Sequence, residues 1–354
     1  MKLTKSKKIS IENGVSLLAD NIFSDSIRGT AFHDDFTDLS NLSNDWELAN
    51  KSWGGDNGGC AAQMVRIQEG EIHCTAYGDN YSGTDFFGVD RNGNPNGKQN
   101  RVGSCIVSKH YYLPGIFKFK CKYPLLIGAC SAIWLFHYEE AYFPGSLWDE
   151  FVSSGLHRSG TSEEGYWIVR NHEIDIEIPS ALKTDTDQEN ASYSNGRFNT
   201  WHGELRNWDV PNNDVPISDP MYSDTNDPAY WSEYTDRFLS IPGGAVNDGE
   251  IHEMTIDWST DPGYVAFYVD GRLVTTITTH VPTIPMKIWF GIWFPSGSTK
   301  WAGKMADWDM QEFILYDFEY IPHSGAPWTD ASESYPKTGL KEITDDNFLT
   351  LFTR

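Results

Sequence analysis

The chain has 354 residues and a formal net charge of −23, with 22% charged and 14% aromatic residues. A charge this negative argues against nucleic acid and against an anionic membrane as binding partners. The hydrophobic content of 39% is ordinary for a soluble globular protein, and the length allows either two domains or one large domain with extensions.

The five cysteines do not form a metal-binding pattern. They are Cys60, Cys74, Cys105, Cys121 and Cys130, an odd number without the paired spacing of zinc sites. Cys74, Cys105 and Cys121 lie in apolar, strand-like runs and are expected to be small core residues. We therefore predict neither a disulfide framework nor a zinc site.

The two ends of the chain are polar. The first ten residues contain four lysines and no apolar segment after them, so this sequence predicts no Sec signal peptide. No apolar run is long enough to span a membrane. We predict an N-terminal extension over residues 1–30, a single domain over residues 31–325 and a C-terminal tail over residues 326–354.

Short strands separated by glycine, proline and asparagine turns are predicted in the first half of the domain, at 64–67, 71–76, 104–108, 115–122 and 130–136. Residues 115–122 alternate apolar residues with lysine, which indicates one solvated face. The nearly continuous apolar run 130–136 indicates a central strand. Residues 137–171 then predict a long loop, of a kind that is usually functional.

Three acids alternate with two isoleucines in Glu173-Ile174-Asp175-Ile176-Glu177. Such alternation is typical of a strand, so the acids share one face and the isoleucines the other. Like charges this close repel, and their pKa values must separate. Glutamates that lean together bring their carboxyl groups to roughly 5–6 Å, near the separation used in retaining glycoside hydrolysis. A solvated acidic strand or a cation site would also explain the motif alone.

The second half predicts strands at 196–202, 253–258, 265–274, 286–293 and 312–320. Asp270-Gly271 is the strongest hairpin turn in the chain. Residues 207–247 predict a second long loop. With no internal repeat and no long amphipathic helix, the pattern predicts an all-β sandwich or jelly roll.

These motifs together resemble glycoside hydrolase family 16. Residues 173–177 match the family's E-x-D-x-E signature, residues 132–134 its A-x-W strand, and residues 252–258 with 268–271 its long hairpin. The resemblance extends over roughly residues 32–322. It implies a β-jelly-roll sandwich of two curved antiparallel sheets, concanavalin-like, with a concave substrate cleft.

The resemblance also implies roles for the three acids in retaining endo-hydrolysis of β-linked polysaccharides. Glu173 would be the nucleophile, Asp175 its helper and Glu177 the acid/base. The single residue between Asp175 and Glu177 is similar to the lichenase and xyloglucan transglycosylase branch. The insertions at 137–171 and 207–247 are longer than in simple lichenases, so a β-glucan and a β-galactan both stay open as substrates.

Six further residues are predicted to bind substrate: Trp134, Asn199, Trp201, His202, Trp293 and Trp308. The resemblance places Trp134 on the cleft floor, and core packing is the alternative. For His202 an ordinary role as a surface histidine is equally open. For Trp293 and for Trp308, a position in the core and a position in the cleft are both open. By alternation His172 faces away from the acids, which indicates a structural role.

The resemblance requires no cofactor for catalysis. Some family members hold a structural calcium ion, for which Asp35 and Asp317 are the candidate ligands here. No calcium-loop motif is visible. An ion at this place would act in stability and not in catalysis.

Three functions remain open at this point. The main hypothesis is a retaining endo-β-glycosidase, and the alternatives are a transglycosylase and a lectin-like glycan-binding module. The lectin hypothesis fits less well, because glycan binding alone does not require three acids on one face of a strand. We expect a polysaccharide as partner, a monomeric protein, and extracellular or periplasmic action from the class of substrate.

Overall fold

The computed structural model describes residues 27–38, 44–51, 58–84, 87–90, 93–142, 166–178, 194–204, 238–294, 302 and 306–323. In these ranges the chain forms sixteen strands and a short 3-10 turn at Ala62–Met64. The first eight strands are β1 (Ile27–Arg28), β2 (Phe32–Asp34), β3 (Trp46–Leu48), β4 (Val65–Gln68), β5 (Glu71–Tyr77), β6 (Ser104–Tyr112), β7 (Gly115–Lys122) and β8 (Cys130–Tyr142). The others are β9 (Tyr166–Ile178), β10 (Asn195–Glu204), β11 (Phe238–Ser240), β12 (His252–Thr260), β13 (Gly263–Val269), β14 (Arg272–Ile277), β15 (Met286–Trp293) and β16 (Met310–Pro322).

The strands form two eight-stranded sheets. The first sheet has the order β1-β6-β15-β8-β9-β10-β11, with β3 also paired to β6. The second sheet has the order β14-β13-β12-β7-β16-β5-β4, with β2 paired to β16. All these pairs are antiparallel except β1 with β6. The crossovers between sheets give the predicted all-β jelly-roll sandwich.

The main core lies between the sheets and is built by strand alternation. Each sheet directs one face of its central strands into this core. The first sheet contributes Ile133, Ile174, Ile176, Phe198 and Phe290, and the second sheet contributes Phe117, Phe119, Ile256, Phe267 and Phe318. Each such side chain contributes about 1.5–3 kcal/mol to folding. Because Ile174 and Ile176 are in this core, residues 173, 175 and 177 are directed to the opposite face of the first sheet.

Two turn and strand predictions can be compared directly with the structure. Asp270 and Gly271 both have positive φ, 50° and 70°, and connect β13 to β14 as the sequence predicted. The predicted loop 137–171 is wrong at both ends. β8 continues to Tyr142 and β9 begins at Tyr166, and the two strands stay paired up to Tyr142–Tyr166, with a register shift between Glu139 and Glu140. Ladder hydrogen bonds hold these ends as strands although they lack a regular apolar alternation.

The described chain begins inside the segment predicted as an extension. Ile27–Arg28 already pairs with Tyr111 and Tyr112 of β6, so the sheet begins before residue 31. Residues 143–165 of the first predicted loop and 207–237 of the second lie outside the described residues. The end of the second loop is wrong, because Phe238–Ser240 forms β11 and pairs with β10. None of the helical residues in the described ranges forms a segment that is long and apolar enough to cross a membrane.

Candidate active site

The three acids lie side by side in the centre of the first sheet. Strand β9 carries them, and its neighbours β8 and β10 present Trp134 and Asn199 directly opposite Asp175. Paired residues on adjacent strands project to the same face, with Cβ atoms about 4.5–5.5 Å apart. We call the face that bears Glu173, Asp175 and Glu177 the acid face.

The acids are removed from water. Asp175 is 3% exposed and Glu177 is 8% exposed, while Glu173 is partly buried. Burial, followed by repulsion from Glu177, raises the pKa of Glu173 to about 8. Burial and the two neighbouring glutamates also raise the pKa of Asp175 well above its ordinary value. Three carboxyl groups held this closely cannot all ionise at neutral pH.

Asp175 connects two neighbours through hydrogen bonds. The indole Nε1–H of Trp201 donates to Asp175 Oδ2 at 3.1 Å. Asp175 also shares a hydrogen bond with Glu173, which lowers the pKa of Glu173 and raises that of Asp175. These opposite effects indicate that Asp175 keeps its proton and donates a hydrogen bond to the Glu173 carboxylate.

A tryptophan pair forms the floor beside the acids. Trp134 stacks on Trp289 of β15, with ring centroids 5.4 Å apart and planes 17° from parallel. Both are nearly buried, and Trp293 packs at the edge of the same cluster. The Lys51 ammonium lies 5.4 Å from the Trp289 ring, and burial lowers the pKa of Lys51 to about 8. The predicted residues Trp134 and Trp293 therefore lie on the acid face.

Strand β10 adds three polar or aromatic residues in alternation. Arg197, Asn199 and Trp201 pair with Glu177, Asp175 and Glu173 in turn, so they share the acid face. Arg197 is 3% exposed and Asn199 is 1% exposed. Both amide atoms of Asn199 are buried without a hydrogen-bond partner among the described residues. An amide in this position is available to a group that enters the site.

Two predicted substrate-binding residues are placed elsewhere. His202 lies on the opposite face, in a row with His172 and His137, and its ring centroid is 4.5 Å from that of His172. Trp308 is 5% exposed in the main core, and its Nε1–H donates to the carbonyl oxygen of Ile127. Strand alternation explains why His202 faces away from the acids. Trp308 lies in the core because it packs against Phe294.

Three residues of the acid face were missed by sequence reasoning. Strand alternation could have placed Arg197 and Trp289 on the acid face. Arg197 lies two residues before Asn199, and Trp289 lies four residues before Trp293, so each shares a face with a predicted site residue. The sequence does not give the register that pairs Arg197 with Glu177. Lys51 lies in a short bridge to Cys60, where no periodic pattern exists to reveal its orientation.

The residues proposed for calcium are engaged otherwise. Asp317 accepts a hydrogen bond from His33 Nε2 at 2.9 Å and lies 3.7 Å from Lys120 Nζ. Asp35 accepts hydrogen bonds from the backbone N–H and hydroxyl of Thr37. Two basic side chains around Asp317 do not fit a divalent cation, and no cluster of three potential ligands occurs among the described residues.

Comparisons with known proteins find similarity over parts of the chain. Residues 222–310 match the model of glycosyl hydrolases family 16, a range that does not include the acidic strand. A β-glucanase of Paenibacillus polymyxa is 42% identical over 52 residues, which is 15% of this chain and 21% of the relative. The chain thus spans about a fifth of the length of the curated relatives it first matches.

Solved structures share the fold at low sequence identity. The Bacillus licheniformis β-glucanase is 17% identical, with a TM-score of 0.50 over 83% of this chain and 99% of its own. A structure described as a native glycosidic hydrolase is 18% identical, with a TM-score of 0.51 over 85% and 100% of the two chains. By the family model over residues 222–310 and by short matches to β-glucanases, the chain is similar to glycosyl hydrolases family 16 over part of its length.

Proposed function

We propose that this protein is a retaining endo-β-glycosidase that cleaves a β-linked polysaccharide by double displacement. The observation that carries the proposal is the acid face itself. Two glutamates flank a buried aspartic acid on one strand, and that aspartic acid donates a hydrogen bond to Glu173. A nucleophile and an acid/base of this kind are what retaining hydrolysis needs.

In the first step Glu173 acts as the nucleophile. Its carboxylate attacks the anomeric carbon while Glu177 gives a proton to the glycosidic oxygen, so the bond to the leaving sugar breaks. Repulsion between the two glutamates keeps them from ionising together, so they share one proton, and in the reactive state that proton is on Glu177. The hydrogen bond from Asp175 favours the carboxylate at Glu173 and thereby the reactive arrangement.

In the second step Glu177 acts as a base. It takes a proton from water, the water oxygen bonds to the anomeric carbon, and the ester bond to Glu173 breaks. Two inversions leave the anomeric configuration unchanged. The stacked pair Trp134–Trp289 supports a sugar ring beside the acids, as aromatic faces do for apolar ring surfaces.

The names of the relatives favour a β-glucan as substrate. The test is the release of reducing ends and the oligosaccharide profile on a panel of mixed-linkage glucan, laminarin, xyloglucan, agarose, porphyran, carrageenan and a keratan-type glycan. We expect defined oligosaccharides from one polymer with the wild-type protein and none with Glu173→Gln. Equal product from both proteins would contradict the assignment of Glu173.

The same assay separates the alternatives. A transglycosylase would lengthen products when oligosaccharide acceptors are added, because the sugar hydroxyl replaces water in the second step. A glycan-binding module would bind one polymer without releasing any product. We expect hydrolysis to dominate, with the acceptor changing the product lengths only slightly.

A further inference from the structure

Arg197 is a buried cation directly opposite the proposed acid/base. It pairs with Glu177 in the β9–β10 ladder, so both side chains project from the acid face about 5 Å apart at Cβ. Arg197 is 3% exposed and Glu177 is 8% exposed. A guanidinium stays protonated at any pH a protein survives, so this charge is permanent.

The titratable and charged groups near Glu177, among the described residues, come from three strands. On β9 they are Glu173 and Asp175, on β8 the thiol of Cys130, and on β10 Arg197. The charges of Glu177, Arg197 and Asp175 all influence the pKa of the Cys130 thiol, so the four groups lie near one another. Among these described groups the permanent positive charge belongs to Arg197.

The two steps of double displacement need opposite states of Glu177. The first needs its carboxylic acid and the second its carboxylate. In the first step the negative charge of Glu173 favours a proton on Glu177. Once Glu173 is esterified that charge is gone, and burial alone would keep Glu177 protonated and unable to act as a base.

We propose that Arg197 is a positioning residue that holds Glu177 as a carboxylate in the glycosyl-enzyme, so that Glu177 activates the attacking water. In that step the water proton moves to Glu177, the water oxygen bonds to the anomeric carbon, and the carboxylate of Glu173 leaves. The inference rests on the proposed function, but the ionisation of Glu177 is measurable without turnover.

The test uses Glu173→Gln, which removes the charge of Glu173 as esterification does. Carbon-labelled glutamate allows the titration of Glu177 to be followed by ¹³C NMR, assigned through its loss in Glu173→Gln/Glu177→Gln. We expect the midpoint to rise by about one to two pH units when Arg197→Gln is added. Arg197→Lys keeps the charge and should leave the midpoint nearer to that of the arginine protein.

Arg66→Gln is the matched control, because Arg66 pairs with Glu312 on the far side of the second sheet. It should leave the Glu177 midpoint unchanged. An equal midpoint with and without Arg197→Gln would overturn the proposal. So would a shift of the same size in Arg66→Gln, since that would show a general charge effect.

Turnover supplies a second readout. With an aryl glycoside that has a good leaving group, the second step limits kcat, and kcat falls at low pH as Glu177 becomes protonated. Arg197→Gln should move this acidic limb upward by about one to two pH units. A uniformly lower kcat with an unmoved limb would contradict the proposal and indicate a structural role. A higher KM for anionic glycans alone would instead make Arg197 a substrate-binding residue.

The outcomes distinguish this inference from the proposed function. If no polymer of the panel is cleaved but the NMR midpoint moves as expected, the effect of Arg197 on Glu177 stands and the hydrolase assignment fails. If polymer is cleaved and the midpoint does not move, the hydrolase assignment stands and the role of Arg197 fails.

Discussion

The two sheets of the sandwich differ in how their charged side chains are paired. On the solvent face of the second sheet, carboxylates lie next to cations, as in the pairs Lys118–Glu319 and Arg66–Glu312. On the acid face of the first sheet, Asp175 lies between two glutamates and its pKa is raised. Compensated charges are typical of a surface that only needs to stay soluble, whereas grouped like charges are typical of a site that does chemistry.

Glu312 shows the contrast most clearly. Burial acts to raise its pKa, but hydrogen bonds and charge from Arg66 and His73 outweigh burial and lower it. At Glu173 the hydrogen bond with Asp175 lowers the pKa but does not outweigh burial and the repulsion from Glu177, so the pKa rises to about 8. The same residue type on the two sheets is therefore shifted in opposite directions by its neighbours.

The largest expected effect is on turnover. Glu177→Gln removes the proposed acid/base, and general acid–base catalysis contributes about 10²–10⁴-fold to a rate. We expect kcat on the cleaved polymer to fall by that factor, with circular dichroism and the unfolding midpoint nearly unchanged. Near-wild-type kcat in this variant would exclude Glu177 from the mechanism. Glu312→Gln serves as the matched control and should retain full activity.

The next effect concerns stability at high pH. Because the pKa of Glu173 is raised in the folded state above about 4.3 in the unfolded state, ionising it costs stability as pH rises from about 4 to about 8. Glu173→Gln cannot ionise. It should match the wild type at pH 4 and be more stable by up to a few kcal/mol above pH 8, as measured by urea unfolding. A constant difference across this range would contradict the shifted pKa.

A smaller effect is expected from the hydrogen bond between Asp175 and Glu173. Hydrogen bonds to charged groups contribute about 1.5–3 kcal/mol, so Asp175→Ala should lower kcat/KM by about 10–100-fold. Asp175→Asn keeps an N–H donor and should lose less. If both variants lose the same factor, the donor to Glu173 is not what Asp175 supplies.

The smallest effect is expected on the second sheet. The Arg66–Glu312 pair is partly exposed, so Glu312→Gln should cost no more than about 1 kcal/mol of unfolding free energy. The lowered pKa of Glu312 contributes stability above about pH 4.3 that is lost as pH falls. The difference between variant and wild type should therefore disappear in acid. A loss that persists at pH 3 would point to packing.

How much of this arrangement could be predicted depends on whether the signal is local. The alternation of residues 173–177 fixes the face of each acid, and Asp270–Gly271 fixes a hairpin, because both act over a few residues. The pairing of Arg197 with Glu177 depends on the register between β9 and β10, which no short pattern encodes. The continuation of β8 to Tyr142 was missed because residues 137–142 are polar and aromatic without regular alternation.

Tryptophans, which can lie either in the core or in the site, were the hardest residues to assign from the sequence. Trp134 and Trp308 are both nearly buried tryptophans, at 6% and 5% exposure. Trp134 lies opposite Asp175 on the acid face, whereas Trp308 donates its indole N–H to the Ile127 carbonyl in the core. Composition and burial are the same in the two cases, and only the tertiary position separates them.

The central claim is that Glu173 becomes covalently attached to the sugar, and mass spectrometry tests it most directly. A slow 2-fluoro glycoside of the sugar that the panel identifies would trap the intermediate. We predict that the peptide containing residues 173–177 gains one glycosyl mass in the wild type and none in Glu173→Gln. Cleavage of polymer without any adduct, or an adduct on a different residue, would contradict the double-displacement account.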